Sequence, residues 1–203
     1  MMVSKEIAAA VYRKVKLIRE EYRTKVLKGD ANVISIERLQ WVIEGMYDLK
    51  IKKRLVPFDA TFVRGMIERW TDLVIISVRQ EQTEDWLRFT AVKEMCHVVI
   101  DEKEDWSTLG VSTLESVLVE YGLSNGKASA RATQSEAFAE VAAIELLYPY
   151  ETRLADLEKL EIGSTTMVKI ASEQKLPASI VSRALSSQHQ MFAAYYWAEA
   201  DKA

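Results

Sequence analysis

The 203-residue chain is 49% hydrophobic and holds only 3 Pro and 7 Gly, a composition suited to one helix-rich core and not to a low-complexity or fibrous chain. A net charge of −3 excludes global attraction to nucleic acid or anionic membrane, so any partner must be recognised locally. The single cysteine, Cys96, excludes an internal disulfide framework.

No apolar run approaches the roughly 18 residues of a membrane span, and the opening Met1 to Glu6 has no apolar signal core. The chain is therefore expected to be cytoplasmic and to form a single domain over residues 1–203. An N-terminal helix is expected over 1–28 and an aromatic tail over 186–203. In the first helix Ile7, Val11, Val15, Ile18, Tyr22 and Val26 recur at spacings of 4, 4, 3, 4 and 4, one stripe of an amphipathic helix. Eight basic residues against four acidic ones between Lys5 and Asp30 make this segment locally basic. It reads as a solvated face, with docking of a partner or nucleic acid as the alternative.

Gly29 to Asn32 breaks that helix, and a second helix is expected over 35–46. Two β-branched runs, 49–56 and 73–78, read as strands of one small sheet, and the alternating 62–70 between them as a middle strand. A polar connection then leads into a helix, with Thr83 as its expected cap and Glu84 and Asp85 at the favourable dipole end.

On this helix, at about 100° per residue, Lys93, Glu94 and His97 fall within one arc, flanked by Phe89, Val92, Val99 and Ile100. The spacing Glu94-x-x-His97 is the second half of the zinc-peptidase helix, in which two His bind the metal and a Glu activates water. Lys93 stands where the first His belongs. Cys96 points farther round and reads as a small buried filler.

The charge run 101–105 reads as a solvated helix end. Residues 107–133 are weakly patterned, with a short helical piece near 114–121 and loop composition over 123–130. A strongly patterned helix follows over 134–148, closed by Pro149, and its Ala139, Ala142, Ala143, Leu146 and Leu147 form a small-residue face that another helix can approach closely. Residues 154–160 read as helix, and 167–185 as helix, tight turn and helix. The tail, with Tyr195, Tyr196 and Trp197, is expected to pack on the body or on a second copy in a homodimer. His189 in that tail is a remote ligand candidate.

Several of these segments together resemble the ImmA/IrrE-type metallopeptidases, whose central helix reads R-F-T-x-x-H-E-x-x-H. Residues 88–97, Arg88-Phe89-Thr90-Ala91-Val92-Lys93-Glu94-Met95-Cys96-His97, match every fixed position but the first metal ligand. The family's second signature, E-x-x-A-x-x-F-A-x-x-L-L-x-P, resembles Glu136, Ala139, Ala142, Ala143, Leu146, Leu147 and Pro149, with Ala142 in place of Phe. The helix-turn-helix ending at 170–185 also looks like the family's scaffold, so the likeness spans about residues 30–185.

The resemblance implies an α+β, zincin-like, helix-rich domain with a small three-stranded sheet and a C-terminal helix-turn-helix-like segment. It places Glu94 as a vestigial general base and His97 and Glu136 as vestigial ligands. A neutral Lys93 at pH 7 would cost about 4.6 kcal/mol, so its ammonium is expected to take the cation's place, paired with Glu136 or Glu94, with no cofactor. Two alternatives stay open. Lys93 snorkels out of a degenerate pocket, or a zinc site is rebuilt from Glu94, His97 and Asp101 with Glu136 or Glu140.

The implied function is that of a catalytically inactive regulatory or protein-binding relative in phage or mobile-element gene regulation, its partner a protein or peptide such as a helix-turn-helix repressor. The alternatives are an active zinc endopeptidase with a rearranged site and a DNA-binding protein using 170–185. Few basic residues there favour nucleic acid, namely Lys169, Lys175 and Arg183 against Glu173.

Overall fold

The first helix sets the packing of both chain ends. In the computed structural model, which describes residues 5–26, 34–58, 63–101 and 130–202, α1 (Lys5–Val26) buries Ala8, Val11, Tyr12, Val15, Ile18 and Tyr22. The stripe is thus rotated slightly from the expected one, and Ile7 is 47% exposed. Its partner is the aromatic tail. Tyr12 stacks on Tyr196 at 5.7 Å and meets Trp197 edge-on at 5.2 Å. The tail is itself a helix, α8 (Ser187–Ala200), begun by Ser186, whose hydroxyl accepts from His189 N. The tail packs on the body through Tyr12 of α1.

Between these ends the chain forms α2 (Ile36–Tyr47), β1 (Lys50–Val56), β2 (Gly65–Arg69), β3 (Leu73–Arg79) and α3 (Glu84–Ile100). Then come α4 (Ala130–Leu147), α5 (Tyr150–Glu161), α6 (Met167–Gln174) and α7 (Ala178–Ala184). The fold is α+β, with eight helices among the described residues and one mixed sheet ordered β1-β3-β2. β1 pairs parallel and β2 antiparallel with β3. The segment expected as the middle strand is therefore middle only in sequence. β3 takes the centre because Val74, Ile76 and Val78 bury fully against the helices, while β2 is half-buried along its length and suits an edge.

Thr83 precedes α3 as expected, but its side chain makes no cap bond. Thr166 does cap α6, accepting from Lys169 N, and Lys175 turns the chain in the left-handed region at φ 52°. The break at Gly29, the charged residues 102–105, the helical piece near 114–121 and all but Ala130 of the loop at 123–130 lie outside the described residues. Among the described residues no helix is long and apolar enough to cross a membrane.

One buried polar cluster has no counterpart in the sequence pattern. Glu145 and Arg153, both fully buried, pair at 2.5 Å. Trp197 Nε1 donates to Glu145 at 3.0 Å, and Arg153 Nη1 donates to Tyr148 O at 2.7 Å. His189 joins this cluster, with Nε2 3.7 Å from Glu145. The cluster ties α4, α5 and α8 together. Breaking a fully buried pair from one side leaves an uncompensated charge. Arg153→Met is therefore expected to cost about 4 kcal/mol in urea unfolding, with much of the loss recovered in the Glu145→Met/Arg153→Met double variant.

Candidate functional site

α3 is buried almost all the way round, from Arg88 to Val99. Its polar residues must therefore find partners inside the protein. α4 supplies them. Ala139, Ala142 and Ala143 are fully buried, and these small side chains let α4 run close against α3. At that approach Glu136 reaches across the helix pair.

Lys93 Nζ lies 2.5 Å from Glu136 Oε2 and 3.3 Å from Glu94 Oε1. The second Glu136 oxygen lies 3.3 Å from His97 Nε2. On the other ring nitrogen, His97 Nδ1 is 3.0 Å from Asp101 Oδ2. Ser135 Oγ stands 3.1 Å from Nδ1 and donates to Asp101 Oδ1 at 2.6 Å. Arg69 of β2 closes the cluster, donating to Asp101 Oδ2 at 2.7 Å and to His97 O at 2.5 Å. Two cations and an imidazole alternate with three carboxylates.

Burial alone would favour a neutral Lys93, but Glu94 and Glu136 outweigh it and hold the ammonium above the ordinary lysine value. Burial also disfavours an imidazolium, yet the Asp101 and Glu136 contacts lift His97 to about 9. Burial would raise Glu136 as well. Against it, His97 and Lys93 hold that carboxyl well below the usual range, an effect that solvent screens because its side chain is 48% exposed. At neutral pH the cluster is a network of charge-assisted contacts, in which Glu94 Oε1 and His97 Nε2 have ion-pair neighbours but no hydrogen bond among the described residues.

This donor set does not fit a zinc ion. Zinc coordination needs free carboxylate oxygens, whereas the Lys93 ammonium lies 2.5 Å from Glu136 Oε2 and 3.3 Å from Glu94 Oε1. Among the described residues no group of three or more His, Cys, Asp or Glu side chains is arranged to hold a metal ion.

The rebuilt site is likewise not assembled by these contacts. Asp101 lies on the opposite ring nitrogen from Glu136, where it orients the ring, and it is buried instead of forming a solvated helix end, with its side chain 7% exposed. Glu140 pairs with Arg183 of α7, away from Lys93. That contact also occupies one of the few basic residues of 170–185, and Lys169 sits 3.9 Å from Glu173. Lys93 does not snorkel free, since its side chain is 18% exposed. Cys96 is a buried filler at 1% exposure, and burial pushes its thiol up.

Sequence reasoning missed Arg69, Ser135 and Gly65. Ser135 directly precedes Glu136, and that adjacency was the available signal. Gly65 admits β2 against α3, because a Cβ there would lie 2.6 Å from Thr90 Cγ2 and 2.9 Å from Glu94 Cγ. No known protein-family model matches the chain, and no curated protein matches it at a significant level.

Gly65→Ala is expected to push β2 off α3 and to cost about 2 kcal/mol in urea unfolding. The His97 linkage has a definite sign. The imidazole titrates near 6.5 when unfolded and near 9 when folded, so its stabilisation is complete below the lower value and is lost as pH rises to the upper one. Unfolding free energy is expected to fall by about 3 kcal/mol across that window, and His97→Gln to flatten the slope. A flat wild-type profile would contradict the imidazolium.

Proposed function

We propose that the protein is a catalytically inactive module of the ImmA/IrrE metallopeptidase type, with the Lys93 ammonium in the place of the metal. It acts by binding a regulatory protein or peptide, such as a helix-turn-helix repressor in phage or mobile-element gene control. One observation carries the reading: Lys93 Nζ sits against both Glu136 and Glu94, and Glu136 also meets His97, the residues that the motif resemblance assigns to metal binding and water activation.

Glu94 in this arrangement faces an ammonium that stays charged across the physiological range. Lys93 is no nucleophile while protonated. What remains is positioning, since the ion pairs fix the distance between α3 and α4 as metal ligation would. Buried ion pairs serve geometry better than net stability.

Zinc loading separates this reading from an active peptidase. After incubation with excess zinc and dialysis, the wild type is expected to retain no stoichiometric metal. Lys93→His removes the ammonium and supplies an imidazole with an ordinary pKa of about 6.5, giving two His and Glu136 as a three-ligand set. That variant is expected to retain one zinc per chain. Stoichiometric zinc on the wild type, together with chelator-sensitive cleavage of a peptide, would overturn the proposal.

A further inference from the structure

β1 is an edge strand, paired with β3 along one side only. Successive residues of a strand turn their N–H and C=O groups to opposite edges. Lys50 N donates to Asp72 O at 2.8 Å and Val56 O accepts from Gln80 N at 3.1 Å, so the even-numbered residues face β3. Ile51, Lys53 and Leu55 therefore turn their backbone groups outward. At Ile51 side chains of α2 take them: Gln40 Nε2 donates to Ile51 O at 2.8 Å, and Ile51 N donates to Glu44 Oε1 at 2.8 Å. Among the described residues nothing does the same for Lys53 or Leu55.

Beside this open stretch lies a groove of about 820 Å³. Leu55 and Val78 share one face of the sheet by register, and with Leu87 and Ala91 of α3 and Ile34 they make an apolar floor. Leu55 is 60% exposed on it. The groove uses a different face of α3 from Lys93 and His97.

Its charges are unequal in their freedom. Glu37 is held by its own N–H and by Ser35, while Glu84 and Asp85 occupy the favourable first turn of α3. Arg54 is bound to Glu68 and Ser77, and Lys53 is 3.8 Å from Glu37. Arg88 and Lys175, by contrast, have no ion pair among the described residues. Arg88 is 8% exposed. Its Nη2 donates to Ile34 O, and its Nη1 has no acceptor there.

We infer that this groove binds an extended acidic peptide of a partner protein, added as a strand to the outer edge of β1 at Lys53 and Leu55. Side chains of an added strand alternate. One set lies on the floor at Leu55 and Val78, and carboxylates of the chain meet Arg88 and Lys175. The inference extends the binding-module reading by giving it a surface, and its test does not involve Lys93, so either can fail alone.

The probe is a capped, fluorescent peptide of alternating valine and glutamate, titrated with the full chain and followed by anisotropy, with a valine–lysine peptide as control. Saturable binding is expected for the acidic peptide alone, with amide exchange slowed at Lys53 and Leu55. Leu55→Pro, which removes an edge donor where proline is tolerated, should weaken binding at least about tenfold. Lys175→Glu, on an exposed side chain, should weaken it about fivefold. If Leu55→Pro unfolds the chain, Lys175→Glu and the exchange data decide. The inference is overturned by absent binding, by equal binding of the lysine peptide, by affinity indifferent to the variants, or by slowed exchange only elsewhere. A concentration-dependent dimer that protects the same two amides without peptide would put a second copy in the groove and overturn it too.

Discussion

A lysine ammonium taken out of water must be surrounded by carboxylates, and that requirement organises the centre of this protein. Lys93 draws Glu94 from its own helix and Glu136 from α4. Glu136 then meets His97, and His97 holds Asp101, which Arg69 anchors to β2. Each group in the sequence lies against a neighbour of opposite charge, so none can be replaced without reassigning its neighbours. Two helices and an edge strand are fixed by one chain of alternating charge. The close α3–α4 approach that the alanines permit is thus required by the polar groups as well.

α4 carries a second such requirement nine residues farther on, at Glu145, about 14 Å along the helix axis. There the partners come from α5 and α8, through Arg153 and Trp197. One end of α4 is referenced to the central helix and the other to α5 and α8. The two buried clusters are chemically alike but differ in exposure: Glu145 is wholly enclosed, while Glu136 keeps about half its side chain in solvent. Only the Lys93 cluster lies open enough to respond to its surroundings.

Much of this was legible from residue order. The helices α1 and α4 and the strands at 50–56 and 73–79 follow from local pattern, since each depends on neighbours within one or two turns. A pairing of Lys93 with Glu136 or Glu94 was expected because a lysine ammonium favours carboxylate neighbours, and the structure brings both carboxylates to it. β2 was misplaced within the sheet because alternation marks a strand without saying which neighbours it acquires. Asp101 read as solvated because it opens a run of charges. Its burial depends on Arg69 and Ser135, which no local spacing links to it. Glu145 and Arg153 were harder still, since each looks like an ordinary surface residue until Trp197, 52 positions downstream of Glu145, is folded over them.

The union of α1 with α8 has a consequence for synthesis. The aromatic surface that covers Tyr12 arrives only with Phe192, Tyr196 and Trp197, so this part of α1 waits for nearly the whole described chain before its apolar side is covered. Until then that side is a natural docking place for chaperones, and closure of the fold is a late, long-range event whose speed is set by the search between distant segments.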